Sequence, residues 1–141
     1  VFFRDENLVY DGSMQIAGIL TIIIGIQLLI THVIALELYL YGMFWWMDIV
    51  MHFLGGIWLM CAWRALVDMR ILSARAWSLS IIMPVLVSVM VAWEVFGVYV
   101  EQGFKAGYMS DTSGDMLCGI VGALVGFWLL RRLQILNTTE S

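Results

Sequence analysis

Charge is scarce in this sequence: Asp, Glu, Lys and Arg make up 13% of the 141 residues, about half the share of a soluble domain. That is too little to cover a surface with solvated groups, which excludes a soluble enzyme, a disordered chain and a coiled coil. Basic residues are scarcer than acidic ones, 7 against 11. The net charge of -4 and the pI near 4.9 leave no basic face for phosphate, so nucleic acid is not an expected partner. Strict polar/apolar alternation is absent, which excludes transmembrane strands. The segment Val1–Ser13 lacks a basic n-region and is too short and mixed for a signal peptide. What the chain does have is apolar residues: 62% hydrophobic, with a mean hydropathy of +0.94. The class this predicts is an integral membrane protein.

A bilayer core needs about 20 apolar residues per helix, and four runs qualify. They extend from Met14 to about Leu36, Trp46 to Leu66, Leu79 to Val100 and Gly114 to Leu130. The predicted fold class is therefore all-α, an integral membrane bundle of four transmembrane helices. The transmembrane domain covers residues 14–132, after an interfacial N-terminal segment at 1–13 and before a short tail at 133–141. Arg4, Arg64, Arg70, Arg75, Arg131 and Arg132 fall on the side of both termini, and Lys105 alone on the other. By the positive-inside rule, both termini and both flanking segments are expected in the cytoplasm.

Acidic residues sort unevenly. Asp5, Glu6, Asp11, Asp68 and Glu140 fall on the arginine side. Glu37, Asp48, Glu94, Glu101, Asp111 and Asp115 fall on the opposite side, together with His32 and His52. Acidic residues contribute little to orientation, so this clustering needs another cause. Asp48 and His52 are four apart and share a helix face, as do Asp111 and Asp115. His52, Glu94 and Asp115 fall within about two turns of the outer surface on three different helices. Ionisable groups inside a bilayer face one another or a wet cavity. Carboxylates with no Lys or Arg among them share protons or bind a cation.

Asp48, His52, Glu94, Asp111 and Asp115 are therefore the candidate ligands of one divalent metal ion, with His52 and Glu94 as the candidate catalytic acid–base pair. The plainer reading makes Asp111 a helix cap and leaves Glu37 and Glu101 solvated at the interface. Two further readings have less behind them. His32 and His52 could hold a haem, and Met43, Met47 and Met51 step every four residues toward His52, as soft copper ligands would. The Gly-rich, polar stretch from Gln102 to Ser113 is expected to be a loop covering this face. Cys61 and Cys118 lie at different depths and are read as packing residues. Gly122 and Gly126 form a small-xxx-small pair suited to close helix approach.

Asp48-Ile-Val-Met-His52, then Trp93-Glu94, then Asp111-x-x-x-Asp115-x-x-x-Gly119-x-x-Gly122-x-x-x-Gly126 resemble the VanZ-like group and the similar YjdF-type inner-membrane proteins, over about Trp46 to Leu130. Gly119 stands where VanZ-like proteins usually have Asn, and Ile49 where they have Lys. The resemblance implies a small helical protein of the bacterial inner membrane without a settled reaction. Two functions remain. The first is a noncatalytic accessory or stabilising subunit, in contact with the bilayer and with other integral membrane subunits of a respiratory or photosynthetic complex. The second is a metal-assisted or acid–base hydrolase acting at the outer leaflet on a lipid-linked or cell-envelope substrate.

Overall fold

The structure is a computed structural model that describes the backbone of residues 12–100 and 108–139, with side chains from 16–99 and 111–133. All regular structure among these residues is helical. The order is α1 (Gly12–Glu37), a single turn α2 (Leu40–Met43), α3 (Trp45–Asp68), a 3-10 turn (Ala74–Ala76), α4 (Leu79–Val100) and α5 (Tyr108–Thr139). Four segments are long and apolar enough to cross a membrane: Ile16–Glu37, Trp45–Asp68, Leu79–Tyr99 and Asp111–Leu133. The protein is an integral membrane helical bundle.

The four long helices are apolar around most of their circumference, and α3 and α5 carry almost no amphipathic bias. This suits helices whose outer faces meet lipid tails and whose inner faces meet each other. Lipid is as apolar as leucine, so burial of apolar surface does little to join such helices. Close packing and interhelical hydrogen bonds must do it.

Close packing is concentrated between α3 and α5, with α1 against α3 and α4 touching α5 and α3 more lightly. Glycine makes the approach possible. A Cβ at Gly56 would fall on the carbonyl oxygen of Gly119, and one at Gly122 on the carbonyl oxygen of Phe53. Gly126 faces Ile57 Cα and Met60 Cβ. The small-xxx-small pair on α5 thus serves contact within the chain. Met60, Ile82, Leu86, Met90, Ala123 and Leu130 form much of the core beside this seam. Helix α1 is tied to α3 by a hydrogen bond from Trp58 Nε1 to the Thr21 carbonyl (2.9 Å), beneath Gly25.

Successive spans alternate in direction, so the chain has two distinct ends. One gathers the start of α3, the end of α4 and the start of α5. The other gathers the end of α3, the start of α4 and the end of α5, and it holds every arginine among the described residues. At this arginine end α3 closes with a buried ion pair between Arg64 and Asp68, whose Nε–Oδ2 bond is 3.0 Å. The guanidinium also lies 5.2 Å from the centre of the Trp77 ring. Trp63 Nε1 donates to the Ala76 carbonyl at 3.0 Å. The α3–α4 connection is thereby fastened to the helix that precedes it. Replacing Arg64 by Lys keeps the charge but loses the planar stack and the fork. We expect a loss of about 1 kcal/mol, measured as a lower midpoint of thermal unfolding in detergent.

Two expectations change. Residues Tyr108–Ser113, read from sequence as part of a loop, form the first turns of α5. Asp111 and its neighbours favour a helix N-terminus, where carboxylates meet free N–H groups. The rest of that expected loop, residues 102–107, lies outside the described residues, as does the N-terminal segment at 1–11. The methionine series is broken too. Met43 belongs to α2 and is exposed, whereas Met47 and Met51 belong to α3, with Phe44 extended between them. The three therefore do not share one helix face.

Candidate functional site

At the end opposite the arginines, side chains from three helices converge on one imidazole. Asp48 and His52 are one turn apart on α3, which brings their side chains to the same face. Glu94 comes from the last turns of α4 and Asp115 from the second turn of α5. His52 Nε2 lies 3.4 Å from Asp48 Oδ1, 3.7 Å from Glu94 Oε1 and 4.0 Å from Asp115 Oδ2. The α3–α5 glycine seam, with Gly56 one turn beyond His52 and Gly119 one turn beyond Asp115, brings the histidine and Asp115 this close.

The site is graded in exposure. The Asp115 side chain is 8% exposed, Glu94 14%, His52 17% and Asp48 40%. Asp48 therefore forms the open flank and Asp115 the floor. Thr112 Oγ1 donates to Glu94 Oε2 at 3.0 Å, so α5 holds the carboxylate of α4 in place from one side while its other oxygen faces His52.

Of the five candidate ligands, Asp48, His52 and Asp115 offer atoms within 4.8 Å of one another. Tetrahedral ligands about 2.1 Å from a zinc ion sit about 3.4 Å apart, so modest side-chain rotation would close these three around a cation. Glu94 adjoins the group through His52. Asp111 does not join it: it is exposed in the first turn of α5, where it fits the helix-cap reading.

His32 stands apart from this cluster. Its Nδ1 lies 2.8 Å from the Tyr41 hydroxyl, and its ring meets Trp93 edge-on at 5.8 Å. Burial, followed by the nearby Asp48 charge, pushes the Tyr41 hydroxyl up to about 12. The phenol thus keeps its proton at neutral pH and remains available as a donor to His32. Cys61 and Cys118 are both free thiols, as their depths led us to expect.

Sequence reasoning did not find Thr112 or Tyr41, because neither type at its position signals a partner 18 or 9 residues away. The Arg64–Asp68 pair did carry a signal, its spacing of four in the last turns of a predicted span.

No curated protein and no solved structure matches the chain. The family described as "Predicted membrane protein (DUF2238)" matches residues 8–135, which include all four spans and every side chain of the convergent site. The chain belongs to the DUF2238 family of membrane proteins.

Proposed function

We propose that this protein binds one divalent cation between α3 and α5 and acts as a metal-assisted hydrolase on a lipid-linked or cell-envelope substrate at the headgroup layer. The observation that carries the reading is the meeting of an imidazole and three carboxylates from three helices, with every described arginine at the far end of the bundle. Buried carboxylates in that setting require protons or a cation. In this reading Asp48, His52 and Asp115 hold the ion. Three protein ligands with an open position are the arrangement of catalytic zinc sites, and the ion would supply a polarised, readily deprotonated water.

Glu94, oriented by Thr112, then handles protons beside the ligands. Asp48, as the most exposed ligand, faces the incoming substrate. In the same reading the arginine bias orients this end away from the cytoplasm and both termini toward it, and the VanZ-like resemblance suggests a bacterial inner membrane. The finer kinship to VanZ-like and YjdF-type proteins belongs to the same reading.

The test is elemental analysis of the chain purified in detergent without chelator, followed by titration with zinc or manganese. About one ion per chain is expected. Asp111→Asn should leave the affinity within about threefold, since Asp111 is solvated outside the ligand group. A chain that neither retains nor takes up an ion overturns the hydrolase reading. If such a chain instead holds a stoichiometric membrane partner through purification, it is an accessory subunit.

A further inference from the structure

At the arginine end an apolar groove of about 580 Å³ runs between α1, α3 and α5, within the roughly 300–1,000 Å³ of small-molecule sites. Leu20 and Ile24 form one wall, Ile57 and Cys61 the floor, and Leu129 and Leu133 the other wall. Trp128 and Arg132 also line it, and the Arg132 guanidinium sits 5.2 Å from the centre of the Trp128 ring. That stack holds a rigid fork of N–H donors beside an otherwise hydrocarbon channel.

Among the described residues, cations outnumber acids at this end. Arg64, Arg70, Arg75, Arg131 and Arg132 gather here, and Asp68, the one carboxylate at this end among the described residues, is already taken by Arg64. A groove whose lining is apolar and whose mouth is a cation fits an amphiphile with a hydrocarbon tail and an anionic head. Basic pockets between transmembrane helices are suited to such lipid headgroups.

We propose that this groove is a binding site for an anionic phospholipid, one acyl chain lying between α1 and α5 and the phosphate paired with Arg132. The site lies at the opposite end from the His52 cluster and does not depend on what that cluster does.

The experiment is competitive retention by the full chain in mild detergent, read by native mass spectrometry with equal amounts of dioleoyl phosphatidylglycerol and dioleoyl phosphatidylcholine. Phosphatidylglycerol should be retained about fivefold better. Arg132→Gln should bring the ratio near unity, whereas Arg75→Gln, at the same end but off the groove, should leave it unchanged. Leu129→Trp, at a lipid-exposed position, should reduce retention of both lipids while the unfolding temperature holds. Equal retention by the unaltered chain would overturn the site. So would equal effects of the two arginine variants, which would mean a diffuse surface charge, or displacement of phosphatidylglycerol by glycerol 3-phosphate, which would mean a headgroup pocket without a tail.

Discussion

Exchanging His52 for Ala should lower divalent-cation affinity by at least about 100-fold, more than the 10–100-fold typical of losing a supporting residue behind a ligand. The reason is geometric. His52 Nε2 is the point to which Asp48, Glu94 and Asp115 are all directed, so its removal takes away a ligand and the spacer between three carboxylates at once. Those carboxylates would then confront each other in a poorly solvated site, and the variant should unfold at a lower temperature in the absence of metal. Glu94→Ala, combined with His52→Ala, supplies a sharper readout. Two groups in one network should show an interaction of about 1 kcal/mol or more in the double-mutant cycle. Additive effects would show that the two side chains act independently and would remove the shared site.

Gly122→Leu should be among the most damaging single changes to the fold. The added Cβ would fall on the main-chain carbonyl of Phe53, an atom that no rotamer change can move away. Overpacking in a close-packed interior usually costs about 1–3 kcal/mol, and a backbone collision belongs at or beyond the top of that range. Since α3 and α5 carry His52 and Asp115, forcing them apart should abolish cation binding along with stability. Gly55→Ala is the matched control. Its Cβ would meet nothing within 4 Å, so both thermal unfolding and cation uptake should be close to those of the unaltered chain. If Gly122→Leu proved as stable as Gly55→Ala, the tight α3–α5 seam would be wrong.

The spans were readable from sequence because a membrane crossing is defined by length and composition, two properties that need no partner. The meeting of Asp48, His52, Glu94 and Asp115 was readable in part for a related reason. Helix periodicity fixes which residues share a face, and distance from the end of a span fixes depth. Those two coordinates leave rotation undetermined, so sequence could not say that Asp111 would stay exposed while Asp115 formed the floor. Rotation comes from packing, here from Gly56, Gly119 and Gly122 locking α3 to α5. The start of α5 was missed because Gly, Ser and Asp look like a loop in isolation. The same residue types also suit the first turns of a helix whose remainder is strongly apolar. The side-chain ties at Tyr41 and Thr112 depend on tertiary neighbours and had no local mark.

Helix α4 rests only lightly on the bundle, yet it brings Glu94 to the imidazole. The other groups ride on the closely packed pair of α3 and α5, so the carboxylate of α4 is mounted on the long helix least tied to that pair and joined to it by the Thr112 hydrogen bond. Anything that tilts α4, such as a thinner bilayer or lateral pressure from crowded neighbours, moves one acid relative to a fixed trio. A change in lipid thickness that tilts α4 would therefore act on the distance between Glu94 and His52, against the restraint of the Thr112 hydrogen bond.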